Sequence, residues 1–317
     1  MNLGTPEAPT ISAVRDFLRE FLHDHRVVEL TRWIWCPILH GIILPFRPKK
    51  ALAAYKSVWM EGGSPLKVIT QQQVEALQIF FNQHDQPALV VHAMTYGQPK
   101  LSEQVHSLVA QGVERIIVLP LYPQYSATTT AAIYDQYANI IKTTRNIPEI
   151  MICKSYCDHP AYIQALAASI REHWATNPKA EKLLFSFHGI PQRCVDQGDP
   201  YYQQSLETAA ATARALNLDE KEWVVSFQSR LGKARWLQPY TDKLLIQLAT
   251  EGTTSVDVIC PAFAADCIET LEEIQQENRH LFEAAGGKTF SYIPCLNSRD
   301  DHIALMANLT TPLFKKF

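Results

Sequence analysis

The sequence predicts an α/β protein of two similar lobes, each a parallel sheet flanked by helices in a Rossmann-like manner, with an active-site cleft between them. Strand-like apolar runs alternate with amphipathic stretches along the chain, the pattern of parallel strands joined by helical crossovers. The two halves also echo each other. Leu3-Gly4-Thr5-Pro6 resembles His188-Gly189-Ile190-Pro191, and each is followed by a strand, a glycine, a proline, a helix and a second strand that ends in proline, at Pro120 and Pro261. Lobe one spans residues 1–150, with an apolar insertion at about 20–65; lobe two spans 151–317, its last helix expected to pack back on the first.

Composition narrows the class. With 317 residues, 47% hydrophobic, 19% charged and a formal net charge of -3, the chain has ample core and is no polybasic nucleic-acid binder. The seven cysteines form no C-x-x-C pair and no zinc-finger spacing, which fits reduced thiols. Met1-Asn2-Leu3-Gly4-Thr5-Pro6 has neither a basic start nor an apolar signal core, and no apolar run is long enough to span a bilayer. A cytoplasmic protein is the expectation.

Taken in order, residues 88–94, 115–119, 150–154, 183–187, 223–227 and 256–260 read as strands, being short, apolar and free of helical period. Residues 102–110, 162–174, 202–216, 241–249 and 268–282 read as helices, with apolar residues at three- and four-residue spacings. Roughly 50 additional residues separate the first two landmarks in lobe one, compared with lobe two, and function is sought in an insertion of that size. Residues 33–46 of it are conspicuously apolar. Two readings stand: a buried helical hairpin, or a greasy lip for a flat apolar ligand or a membrane surface.

The candidate site starts at His188. It ends the apolar run Leu183-Leu184-Phe185-Ser186-Phe187, and Gly189 and Pro191 break the chain just after it. In an open parallel sheet, ligands gather at that carboxyl edge. The bland reading is a histidine that caps a core strand. A second stretch, from Pro261 to Glu277, follows a strand directly and opens a helix, so its acids begin at the same edge. Glu269, Glu273 and Glu277 are four apart and share one helical face, while Ile268, Leu271 and Ile274 turn toward the core. Alone, such a row is usually a solvated face. Opposite a histidine it becomes a column of carboxylates leading to an imidazole, a donor set suited to a borderline divalent metal such as ferrous iron and able to accept protons at neutral pH. A structural zinc cage would want about four ligands, so this sparse set suits an ion held briefly and passed on.

Six motifs give the sequence a resemblance, over essentially its whole length, to the ferrochelatases, which insert ferrous iron into protoporphyrin IX to make protohaem. They are Asn2-Leu3-Gly4-Thr5-Pro6, Gly62-Gly63-Ser64-Pro65-Leu66, the run from Leu119 to Ser126, Ser186-Phe187-His188-Gly189-Ile190-Pro191, Phe227-Gln228-Ser229-Arg230 with Trp236, and Phe263-Ala264-Ala265-Asp266 with Ile268-Glu269-Thr270-Leu271. The resemblance implies a chelatase-like fold in which His188 and Glu269 are catalytic and hold the metal or accept protons. It implies that Glu273 and Glu277, with Asp266, form a metal or proton path on a distorted helix. Tyr96, Trp236, Tyr122, Phe263 and Leu3 are then residues of the porphyrin pocket, and 33–46 falls in the lip. Ferrous iron and protoporphyrin IX are implied as substrates, with two protons released; no permanently bound cofactor is implied. A monomer and a peripheral membrane contact through the lip complete the expectation.

The departures are specific. Family members usually carry an apolar strand just before the first motif, where this sequence begins. Animal members and some bacterial ones bind an iron-sulfur cluster through one internal and several carboxyl-terminal cysteines; here Ala127 takes the internal position and Cys295 stands alone, so no cluster is expected. Cys267 sits where the animal enzymes have a histidine. The alternatives are a coproporphyrin or cobalt chelatase of the same fold, or a two-lobed metal- or tetrapyrrole-binding protein without turnover. The run from Trp59 to Leu66 is similar to that of the bacterial enzymes that use protoporphyrin.

Overall fold

In the computed structural model, which describes residues 1–232 and 234–314, eight short parallel strands alternate with helices. The chain divides into two compact units, one of residues 1–122, 126–154 and 303–317, the other of 123–125 and 155–302.

Unit 1 opens with β1 (Asn2–Gly4) and α1 (Ile11–His23), the latter capped by the Thr10 hydroxyl, which accepts from Ala13 N. The apolar insertion is then a run of helix, α2 (Arg32–Ile38), a π-helical stretch π1 (Leu39–Ile43) and α3 (Leu44–Val58). The insertion is part buried and part exposed. Trp35 is buried, its indole N–H donating to Leu22 O at 2.7 Å, and Leu39 and Leu44 are buried too, whereas Trp33 is 77% and Phe46 73% exposed. Next come α4 (Pro65–Gln83), capped by Ser64, β2 (Met94–Tyr96), α5 (Leu101–Ala110), β3 (Arg115–Val118), α6 (Thr130–Thr143) and β4 (Glu149–Ile152). Val105, Ile116, Val118, Ile133 and Ile140 form a core between this unit's helices and strands.

One sheet was expected in this lobe, and the structure has two. β1 pairs with β2, and β3 with β4, as separate two-stranded ladders. The strand expected over 88–94 is correspondingly reduced to Met94–Tyr96. Its upstream part has the right composition but no ladder; the Gln78 side chain takes the place of one, donating to Ala88 O and accepting from Val90 N. The amino group of Met1 lies buried between the two ladders and donates to Leu119 O at 2.9 Å, while Leu121 N donates back to Met1 O.

Unit 2 builds a single four-stranded sheet. Its elements are α7 (Pro160–Thr176), β5 (Lys182–His188), α8 (Gln192–Asp196), α9 (Tyr201–Ala215), β6 (Trp223–Gln228), α10 (Thr241–Thr250), β7 (Ser255–Ile259), a second π helix π2 (Glu269–Asn278), α11 (Arg279–Ala284) and β8 (Thr289–Ile293). α12 (Asp300–Phe314) ends the described chain. The strand order is β6-β5-β7-β8, all parallel. β5 is central, and Leu183, Leu184, Phe185 and Phe187 are buried because both faces of a parallel sheet are covered. β8 was not foreseen, nor was α6.

The internal echo is visible in backbone detail. Met94 N donates to Pro99 O in unit 1, and Phe227 N to Pro239 O in unit 2, each proline following a cis peptide bond. A Cβ on Gly4 would collide with Tyr96 O, and one on Gly189 would come within 2.7 Å of Gln228 O. Only glycine lets the neighbouring strand approach so closely.

Candidate active site

His188 is the last residue of β5, at the carboxyl edge where the sheet ends and loops take over. Its Nδ1 lies 2.7 Å from Gly189 O. A carbonyl can only accept, so Nδ1 carries the hydrogen and the neutral ring presents its lone pair at Nε2. Burial lowers the pKa of this imidazole, while the Glu269 carboxylate and the Gly189 carbonyl push it partly back. Neutral His188 is thus available as a ligand or proton acceptor.

Two aromatic side chains flank it. The Phe263 ring lies 6.2 Å from the imidazole, centroid to centroid, and is tilted to it. Trp236 is carried on a strand-like segment that pairs with Pro191, and its indole N–H donates to Leu231 O. The Trp236 ring edge would lie 3.4 Å from a Cβ on Gly189. A side chain at 189 would therefore disturb both the turn that follows His188 and the indole packed on it.

The acidic row lies on π2, a π-helical stretch inside the helix expected over 268–282 and in keeping with the distorted helix the resemblance implies. With i→i+5 bonding the turn is wider, but a spacing of four remains near one turn, so Glu269, Glu273 and Glu277 keep a common side. Their environments differ. Glu269 and Glu273 are half-buried and Glu277 is exposed. Gln228, at the end of β6, donates through Nε2 to Glu269 O at 2.8 Å, and its own Oε1 accepts from Ser186. Ser229 gives Glu273 two donors: its N–H to Oε1 at 2.8 Å and its hydroxyl to Oε2. Burial raises Glu273 to about 7, against the pull of Ser229 and with the help of Glu269 and Glu277. Burial, reinforced by Glu269, keeps Cys267 a protonated thiol.

Asp266, placed by resemblance on a metal or proton path, is buried and fully engaged. Its Oδ1 accepts from Thr270, Tyr292 and Cys295 N, and its Oδ2 from Asn297. Those bonds fix the entry to π2. The remaining pocket residues inferred by resemblance belong to unit 1. Tyr122 packs on the unit 1 core, Tyr96 is buried with its hydroxyl donating to Asp24 at 2.8 Å, and Leu3 is a half-buried residue of β1. Gln228 and Ser229 were visible in the sequence only as part of a motif, with no role. Among the described residues, no three His, Cys, Asp or Glu side chains cluster closely enough to cage a metal.

The sheet with imidazole and carboxylates at its carboxyl edge defines a chelatase-type α/β fold. SirB from Bacillus subtilis, solved with Fe3+, superposes with a TM-score of 0.58 at 13% identity, covering 78% of this chain and 91% of that one. CbiX, described as the terminal enzyme of sirohaem biosynthesis in denitrifying bacteria, gives 0.52 at 14% identity, covering 79% and 94%. The family model described as Ferrochelatase matches residues 1–312. A ferrochelatase of Aeromonas hydrophila is 53% identical over 98% of this chain and 95% of its own length, and one of Vibrio cholerae 50% over 97% and 95%. The chain belongs to the ferrochelatase family.

Proposed function

We propose that the protein inserts ferrous iron into protoporphyrin IX, releasing two protons and forming protohaem. The carrying observation is the pairing of a neutral imidazole, its lone pair on Nε2, with the carboxylates of π2 at one sheet edge. Metal insertion removes two pyrrole protons and brings in a dication, so the site needs a proton acceptor and compensating negative charge together. His188 supplies the first and Glu269 the second, and either can hold the ion as it arrives. Trp236 and Phe263 offer apolar faces to a flat ring next to that pair. Iron is substrate here, and the site keeps no ion. We further propose that the protein binds no iron-sulfur cluster, and that the exposed Trp33, Ile34, Ile42 and Phe46 rest on a membrane surface. No helix among the described residues is long and apolar enough to cross one.

The test is an anaerobic assay with ferrous iron and protoporphyrin, read by loss of porphyrin fluorescence. Wild-type protein is expected to turn over, and His188→Ala to lose at least a hundredfold in kcat with an unchanged circular dichroism spectrum. Binding of both compounds without turnover by the wild type would make it a carrier and reject the enzyme.

A further inference from the structure

The end of β6 holds π2 at two points one turn apart. Gln228 grips the main chain at Glu269 O, and Ser229 grips the side chain of Glu273 by both carboxylate oxygens. Ser229 achieves this from an unusual backbone. Its φ of 65° is left-handed, a region a non-glycine residue enters at a cost. That conformation lets the N–H and the hydroxyl of one residue point at the same carboxylate. Its neighbour Arg230, the nearest cation after β6, is turned elsewhere, paired through both guanidinium nitrogens with Asp242 and stacked over Tyr240 at 4.4 Å.

We propose that Ser229 is a positioning residue that locks Glu273 in place as a second proton acceptor beside His188, leaving Glu269 as the carboxylate of the row that meets the ion. This rests on the function proposed above. Two donors aimed at the two oxygens compete with any cation for them, whereas a proton can still add to the remaining lone pairs. The acids facing Glu273, Glu269 and Glu277 along π2, favour its taking a proton, the thiol of Cys260 after β7 stays protonated, and only the more distant Arg230, held by Asp242, pulls the other way. The midpoint of Glu273 near 7 is that of a group able to take and release protons at neutral pH.

A double-mutant cycle tests it. Ser229→Gly keeps the main-chain donor and suits the left-handed backbone, so it removes the hydroxyl alone. The expected result is a fall of about tenfold in kcat with the KM for ferrous iron unchanged. Glu273→Gln should fall at least as far, and adding Ser229→Gly to it should cost nothing more, because the serine acts through the glutamate. Independent, multiplying losses overturn the proposal, as does a change confined to the iron KM or no change in Ser229→Gly. Ser229→Ala serves as the folding control: it loses the same hydroxyl and keeps the backbone strain, so the same kinetic signature is expected with a lower melting temperature. An inactive wild type would instead reject the proposed function, before any variant is made.

Discussion

At the residue scale, three glutamates that look equivalent in the sequence occupy three environments. Glu269 adjoins His188 electrostatically and the thiol of Cys267, Glu273 is held by Ser229, and Glu277 faces solvent. Glu269→Gln should therefore cut turnover most, Glu273→Gln less and Glu277→Gln least, with porphyrin affinity by fluorescence quenching unchanged in all three. Equal losses in all three would argue for a diffuse field in place of a graded row. Glu273 also carries a stability signature. Its folded pKa, about 7, lies above the unfolded value of 4.5, so the ionised form costs stability above pH 7, and the cost fades as pH falls toward 4.5. Glu273→Gln should melt higher than wild type at pH 8, by at most about 3 kcal/mol of stability, and the gap should close by about pH 4. His188 was legible because an apolar strand run ends on it at a glycine turn. Ser229 was not, since its role depends on a left-handed φ and on the approach of π2, neither of which leaves a periodic trace.

At the element scale, composition located most strands but not their pairing. Residues 88–93 have strand composition and no ladder, while β8 alternates only weakly and escaped notice. Distortion of the helix that carries the acids came only from the resemblance, because a four-residue acidic spacing suits an α turn and a π turn about equally. The buried amino group of Met1 makes its own prediction. Burial pushes it from its usual value near 8 down to about 5. Between those values the unfolded chain holds a proton that the folded chain refuses, so stability falls as pH drops from 8 to 5. The cost is about 1.4 kcal/mol at pH 7 and about 4 kcal/mol at pH 5. Converting that amine to an amide, by acetylation or by fusing residues ahead of Met1, should raise the melting temperature by about 3 °C at pH 7 and more at pH 6. Equal melting curves for both forms across that pH range would show that the amine is hydrated.

At the scale of the whole molecule, five of the seven cysteines are buried and two, Cys36 and Cys153, are half-buried. A thiol reagent should label those two within minutes and the rest only on unfolding, and the purified protein should lack acid-labile sulfide. Sulfide in stoichiometric amount would overturn the cluster-free proposal. The lip has a matching test: flotation with vesicles of anionic lipid should weaken when Trp33 and Phe46 are both changed to serine, and equal flotation of both forms would put the contact elsewhere.

The division of the chain into units has a consequence for the order in which the molecule is made. Unit 1 holds both the first residues of the chain and its last fifteen or so, residues 303–317, and the Phe314 ring sits edge-on to Phe81 at 6.1 Å. The ladders of unit 2 join segments about 34 to 74 residues apart in sequence, whereas Met1 must wait for Leu119, and Phe81 for Phe314. During synthesis the half that leaves the ribosome first is therefore the half completed last. Its apolar surface around Phe81 stays uncovered until the final helix emerges, and a nascent chain stalled before residue 303 would carry a closed sheet in unit 2 and an unfinished unit 1.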